Sequence, residues 1–415
     1  MVSPFLPDAD KLAAVREALP ASRAGIYLNA GSCGPMLAET ARAMDEAAVR
    51  ELTVGRAAPG DWQDALVRMD EARFAVAAVL VADPADIALT HSTTDGLNLM
   101  ISALPWRAGD RVLTTAHEHP AALAPLVALR QRLGVEVEIV NVGDGSDPEA
   151  VAAAFGRALQ RPARAIVVSH VLWTTGAVLP VGRLGALARE AGAVSIIDGA
   201  QAAGAIPVLL DELGVDAYAV PAQKWLLGPE GMGALWVRRP VADGAVPATS
   251  GSLSYAGFSM DSPVLHAGAR RFEATGFHRP SVIGFARSLG WLSMYVGLPW
   301  TQVRATGLAI VLADRLAAIP GVTVLTPRPA PATLVTFRIS GWTAPQVLAE
   351  LGPRTFAVAR EIAQLDAVRL SIGFWNTEAE LDRVAVAVEA LAHHTPESIP
   401  ARRLAVLDSE GHSIG

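Results

Sequence analysis

Residues 195–237 read SIIDGAQAAGAIPVLLDELGVDAYAVPAQKWLLGPEGMGALWV. Three short β-prone runs stand out, Ser195–Asp198, Ala217–Val220 and Gly233–Val237. The first ends on an aspartate and the second is followed, within four residues, by a lysine. An aspartate closing an apolar run is drawn into a partly buried place, and a buried carboxylate is costly unless it is paired with a cation. Lys224 precedes Trp225, Leu226 and Leu227. A lysine desolvated among such neighbours has a lowered pKa and can attack carbonyl groups.

The same alternation extends outward. Ile87–Thr90, Arg111–Thr115, Val135–Val140 and Ala165–Ser169 read as strands, and the apolar periodicity predicts helices over Pro120–Leu133, Glu149–Leu159 and Arg183–Ala191. Strands and helices alternating in this way predict an α/β fold with a mostly parallel seven-stranded sheet covered on both faces. In such sheets a ligand sits beyond the carboxyl ends of the strands. Past Pro299 the pattern changes. A helix (Thr301–Ile319), two runs (Val322–Leu325, Leu334–Ile339), a helix (Ala344–Leu351), two runs (Phe356–Ala359, Val368–Ile372) and a helix (Glu378–Ala392) predict a smaller C-terminal α/β domain. The expected division is an N-terminal segment, 1–24, packed on the small domain, a large domain, 25–290, a small domain, 291–395, and an unassigned tail, 396–415.

Composition narrows the function. The 415 residues are 51% apolar and 18% charged, enough for a sizeable core. The net charge of −7, with no basic block, argues against nucleic acid or an anionic membrane as the partner. The longest clearly apolar run, Phe74 to Ala82, is far short of the roughly 20 residues of a membrane helix. The N-terminus lacks the basic and apolar regions of a signal peptide, and the single cysteine, Cys33, makes no internal disulfide. These features predict a cytoplasmic protein. Of 34 basic residues only Lys11 and Lys224 are lysines. A GC-rich coding bias explains the preference for arginine, but it leaves two lysines to account for. Lys11 lies in a polar N-terminal helix and reads as a solvated charge.

The strand ends carry the chemistry. His91-Ser92-Thr93-Thr94 opens a helix, where hydroxyls and free amides either bind an anion or simply cap. After the next strand come His117, Glu118 and His119. The two histidines lack a third cluster of metal ligands, so the reading lies between a flat imidazole over an aromatic ligand and a solvated turn. Ser169-His170 closes a very apolar strand, where a histidine meets either a ligand or a buried partner. Together these residues fit one ligand: a phosphate cup, a stacking ring, an aspartate for a ring nitrogen and a lysine for an aldehyde. Those are the demands of pyridoxal 5′-phosphate (PLP).

HSTTDGLN (91–98), EHP (118–120), SHVLWTTGAVLPV (169–181), DGAQAAG (198–204), QKWLLGPEGMGALWV (223–237), RRFEATG (270–276) and VRLSIGFWNTEAELD (368–382) occur in an order that resembles the class V aminotransferase-like, fold-type I PLP enzymes over roughly residues 25 to 392. Within that class the chain is most similar to the L-cysteine/cystine C–S lyases. The stretches YLNAGSCGP (27–35) and SHVLWTTGAVLP also resemble isopenicillin N epimerase-like members. The resemblance implies that Lys224 forms the Schiff base, that Asp198 pairs with the pyridine nitrogen, that Gln201 lies beside the ring hydroxyl and that His119 stacks on the ring. It implies Thr93 and Thr94, with His170 and Gln223, around the cofactor. It also implies Thr275 or Gly276 reaching a partner subunit's phosphate in a homodimer. Arg369 would hold the substrate α-carboxylate with a bidentate fork, Arg360 would be a second carboxylate site, and Asn29 and Ala30 would line the pocket.

The departures bear on the reaction. Many relatives have Ser-x-His-Lys before the lysine, and this chain has Pro221 and Gln223 there. Cysteine desulfurases carry a loop thiol just before the carboxylate-binding arginine, but Arg360–Arg369 reads REIAQLDAVR. The expectation is therefore β-elimination from cysteine, cystine or an S-substituted cysteine. The alternatives are a desulfurase with another acceptor, an epimerase, an aminotransferase and, more remotely, a non-catalytic PLP-binding regulator.

Overall fold

The computed structural model describes residues 6–400. Its central sheet has seven strands: β1 (Ile87–Thr90), β2 (Arg111–Thr115), β3 (Glu136–Val140), β4 (Ala165–Ser169), β5 (Val194–Asp198), β6 (Ala217–Pro221) and β7 (Gly233–Val237). They lie in the order β3-β2-β4-β5-β6-β7-β1. Only β7 runs antiparallel to its neighbours. Successive side chains of a strand face opposite sides, and the core divides accordingly. Leu113, Ile166, Val168, Ile197 and Val220 enter one apolar cluster, and Val112, Ala165, Val167, Ile196 and Ala219 the other. The edge strand β3 is half-exposed and carries Glu136 and Glu138, charges that blunt an open edge.

The longer helices are α1 (Asp8–Ala18), α2 (Ala38–Val54), α3 (Asp61–Leu80), α4 (Thr93–Ala103), α5 (Pro120–Leu133), α6 (Pro148–Ala158), α7 (Val181–Glu190), α8 (Arg279–Gly290), α9 (Leu298–Ala317), α10 (Ala344–Thr355) and α11 (Glu378–Ala392). Among the described residues none is long and apolar enough to cross a membrane. Local chemistry sets the starts. The Ser92 hydroxyl accepts from the Asp95 amide at 3.1 Å to cap α4, and the His119 ring accepts from the Ala121 amide at 3.1 Å to cap α5, with Pro120 in its first turn. α9 starts three residues before its expected Thr301, because Pro299 is tolerated in a first turn.

A second sheet is fully antiparallel. It holds β8 (Val322–Val324), β9 (Leu334–Ile339), β10 (Arg360–Ile362) and β11 (Ala367–Ser371) in the order β8-β9-β11-β10. With α9, α10 and α11 it encloses its own apolar cluster. The run expected at Phe356–Ala359 is divided. Phe356 takes a positive φ of 56° that ends α10, Ala357–Val358 pairs with Ile26–Tyr27, and Arg360 opens β10.

Two expectations for the N-terminus need correction. α1 is a bridge and does not pack on the small unit alone. Val15 and Leu19 enter the cluster over the central sheet, while Arg16 pairs with Glu380 at 2.8 Å and donates to the Trp375 carbonyl. Lys11 is only 3% exposed, and its ammonium lies 4.6 Å from the centre of the Trp300 ring. Burial lowers its pKa and Asp8 opposes the shift. The polar helix context missed this, because the aromatic partner comes from the start of α9. Of the expected tail, residues 401–415 lie outside the described residues.

Candidate active site

A cavity of about 310 Å³ opens where the central sheet ends on its carboxyl side, as the strand order requires. β5 delivers Asp198, 4% exposed, whose Oδ1 accepts from the Ala200 amide at 2.8 Å. Burial raises its pKa and the nearby Lys224 draws it back. Three residues beyond the end of β6, Lys224 faces the same space. Burial pushes its ammonium down to about 8, Asp198 opposes that shift, and Arg369 and Arg360 add to it. The turn is tight. Leu227 has a positive φ of 56°, a strained conformation for a non-glycine residue, and the Ser288 hydroxyl donates to its carbonyl at 2.9 Å.

The N-terminal strap closes over this turn. The Gly34 amide donates to the Gln223 carbonyl at 2.7 Å, and a Cβ at Gly34 would stand 2.2 Å from the Lys224 carbonyl oxygen. No side chain fits there. His119 stands at the end of the β2 connection, edge-on to Trp173 with ring centroids 5.0 Å apart. Burial, reinforced by Lys224, Arg360 and Arg369, brings its pKa to about 4, so its imidazole is neutral at physiological pH.

The second sheet supplies the cationic wall. Arg360 and Arg369 are direct cross-strand partners on β10 and β11. Like charges placed opposite each other repel, and an anion between them relieves that cost. Arg369 is 1% exposed. Its Nη1 donates to the Trp173 carbonyl at 2.8 Å, while Nε and Nη2 have no partner among the described residues. Burial and Arg360 both work against its charge. Arg360 is exposed, donates to the Ser32 hydroxyl at 2.9 Å and lies over the Trp173 ring.

The residues present fit PLP. The Thr93 hydroxyl and the Gln223 side-chain oxygen Oε1 belong to residues that line the cavity, are buried and lack partners among the described residues. The first-turn amides of α4 point outward without intrahelical acceptors, as at any helix start. A phosphate at this end would use the hydroxyl and the amides, an aldehyde would meet Lys224, and a protonated ring nitrogen would meet Asp198.

The structure brings Thr93, Thr94, His119, Asp198, Gln201, Gln223, Lys224, Arg360 and Arg369 to one cavity. It leaves the others outside. His170 points away because Ser169 faces the cavity and neighbouring residues alternate; its Nδ1 meets the Tyr218 hydroxyl at 2.9 Å. Asn29 forms a bridge with Ser371 and Ala30 is fully buried in the core, so Gly31 and Ser32 line the cavity in their place. Thr275 and Gly276 are exposed and contribute nothing to this chain's own cavity. Gln201 lines the wall, but its amide already donates to the Gly31 carbonyl and accepts from Trp225. His117 turns from His119 toward the Gly143 carbonyl and Thr174. Sequence reasoning gave no role to Glu118, buried behind Ser169. An acidic residue so close to an apolar strand end was the available signal.

This fold and this constellation define a fold-type I PLP-dependent enzyme. The Aminotransferase class-V family profile matches residues 26–384, and the chain belongs to that family. It is 29% identical over 311 residues to a probable cysteine desulfurase of Methanothermobacter thermautotrophicus, covering 74% of this chain and 76% of that one. It is also 29% identical over 392 residues to the isopenicillin N epimerase of Streptomyces clavuligerus, covering 88% and 94%. Among solved structures, a C-DES mutant with glycine covalently linked to its PLP cofactor superposes with a TM-score of 0.83 at 25% identity, covering 90% and 98%. The apo cysteine desulfurase of Thermococcus onnurineus NA1 also gives 0.83 at 25% identity, covering 95% and 100%. The cofactor of this enzyme is PLP.

Proposed function

We propose that the enzyme cleaves C–S bonds by β-elimination from cysteine, cystine or an S-substituted cysteine. One observation carries the choice of elimination. The β10–β11 hairpin that bears both arginines contains no thiol to receive sulfur. Cys33, the chain's only cysteine, is half-buried in a turn, its amide bonded to the Asn29 carbonyl and its own carbonyl accepting from Tyr27. Burial, followed by Glu230, raises its thiol pKa against the pull of Lys224. A thiol held in that form is a poor sulfur acceptor.

In this reading PLP, when bound, supplies the electron sink for the pair left at the substrate Cα. Lys224 holds the cofactor and then takes the Cα proton on Nζ, a role suited to an amine with a pKa near 8. Asp198 keeps a proton at the ring nitrogen. His119 presents a neutral flat face to the ring, and Thr93, Thr94 and Gln223 surround the phosphate. Arg369 takes the α-carboxylate with its two unused nitrogens, and Arg360 takes a second carboxylate at the mouth. A homodimer completes the site in this reading, with Thr275 and Gly276 of each chain at the other's phosphate.

Epimerisation is the second reading, favoured by the 94% coverage of the epimerase relative. The test is a product screen with the holoenzyme. Pyruvate from cystine or an S-substituted cysteine, retained in Cys33→Ser, is the expected result. Alanine in place of pyruvate, lost in Cys33→Ser, overturns elimination in favour of desulfuration. An inverted amino acid with no pyruvate favours epimerisation.

A further inference from the structure

Behind the cavity wall lies a buried carboxyl group that the reading above leaves without work. Glu118 is 2% exposed. One of its oxygens accepts from the Thr115 hydroxyl at 2.7 Å, at the end of β2, and the other from the Ser169 hydroxyl at 2.5 Å, at the end of β4. Ser169 is the in-register neighbour of Asp198 on β5. Aligned residues of parallel neighbours project to the same face about 4.8 Å apart, and both line the cavity. The ends of three adjacent strands therefore carry a row: Thr115, Glu118, Ser169, Asp198.

Two carboxyl groups in one buried row do not both ionise freely. The groups facing Glu118 are the hydroxyls of Thr115 and Ser169 and, from β5, Asp198; Asp198 is faced in turn by Lys224 and Tyr218. Lys224 favours the charged form of Asp198, so the proton of the pair resides on the other carboxyl. Burial, with Asp198 adding to it against the two hydroxyls, raises Glu118 to about 7.

We propose that Glu118 is a positioning residue of the cofactor site, a buried carboxyl group that holds the proton of the Glu118–Asp198 pair and, across Ser169, sets how firmly Asp198 keeps its partner proton at the ring nitrogen. The proposal rests on the cofactor reading for that last effect only. Below its midpoint Glu118 is neutral and adds no charge. Above it, a second negative charge beside Asp198 strengthens retention of the ring proton. A brace that only held Ser169 in place would produce no such pH-dependent effect.

The test is infrared difference spectroscopy, which reads the carbonyl stretch of protonated carboxyl groups, first on the cofactor-free protein. The wild type is expected to lose such a band around pH 7, and Glu118→Gln, which is isosteric, should lack it. Asp198→Asn removes the repelling charge and should lower the midpoint by about one pH unit, the order expected for neighbouring charges at an intermediate dielectric. Ser169→Ala removes a bond to the ionised form and should raise it. In PLP-loaded protein, Glu118→Gln should shift the alkaline change in the cofactor's absorbance to lower pH and leave the acidic side unchanged. A band that survives in Glu118→Gln, or a midpoint indifferent to Asp198→Asn, overturns the proposal. Should Glu118→Gln fail to fold, the opposite shifts of the other two variants decide. The infrared measurements need no cofactor, so they stand apart from the labelling of Lys224 that tests the cofactor reading.

Discussion

The two walls of the cavity are built in contrasting ways. One is the rim of a parallel sheet, where Asp198, Ser169 and the Lys224 turn are fixed by strands buried on both faces. The other is assembled from distant parts of the chain: Arg360 reaches Ser32 across 328 positions, and Arg369 leans on Trp173 across 196. The first wall is set by buried, hydrogen-bonded strands, which suits it to a single large ligand. The second is cationic, partly exposed and held by few contacts, which suits the part of the site that reads a variable substrate.

The largest expected effect belongs to the sheet wall. Lys224→Ala should lower turnover by at least about 10³-fold, within the range for loss of a placed base. Borohydride reduction of the wild type should put the pyridoxyl group on the Gln223-Lys224-Trp225 peptide. A label on Lys11 would break the contrast at its root. On the second wall, Arg369→Ala should cost about 10- to 100-fold in kcat/KM, mostly through KM, as expected for a charged hydrogen bond of about 1.5–3 kcal/mol. Arg360→Ala, at the exposed mouth, should cost only a few-fold and depend on salt. Equal losses at the two arginines would erase the distinction between a buried and a peripheral anion site.

Gly31 sharpens the comparison, because a Cβ there would stand 2.8 Å from Arg369 Nη2 and 2.8 Å from Ser371 Oγ. Gly31→Ala should raise KM for the amino acid about tenfold or less while PLP affinity, measured by absorbance titration, stays within about twofold; these are order-of-magnitude figures for a displaced charged contact. A last effect, on stability and not on turnover, is a linkage. Lys224 has a folded pKa near 8 against 10.5 for a free lysine. Between those values the unfolded chain binds more protons, so stability rises with pH. The denaturant midpoint of the cofactor-free protein should climb through that window, and Lys224→Met should flatten the climb.

The sheet wall was legible in the sequence because its signals are local. Asp198 closes an apolar run and Lys224 follows another within four residues, and a strand carries its end residues to a fixed place. The errors there are of a single residue: His170 shares a strand end with Ser169, and alternation sends it to the Tyr218 side. The second wall depended on family resemblance, since nothing near Arg360 or Arg369 announces the other's position; the antiparallel register does. Asn29 and Ala30 missed by two positions for the same reason, as the bend of the strap is set by contacts with β11. Glu118 and Lys11 escaped because their partners, Ser169 and Trp300, are remote in sequence.

The burial of Lys11 beneath Trp300 has a consequence for the handling of a reactive aldehyde. Free PLP condenses with accessible amines wherever it meets them, and most protein surfaces offer many. Here one lysine is capped by an indole and the other faces the cavity, so the described surface presents arginine in lysine's stead. Guanidinium groups keep their protons and do not compete for aldehydes. Scarcity of lysine thus gives the cofactor a selective address among the side chains, and makes the protein a poor substrate for amine-directed cross-linkers and labels.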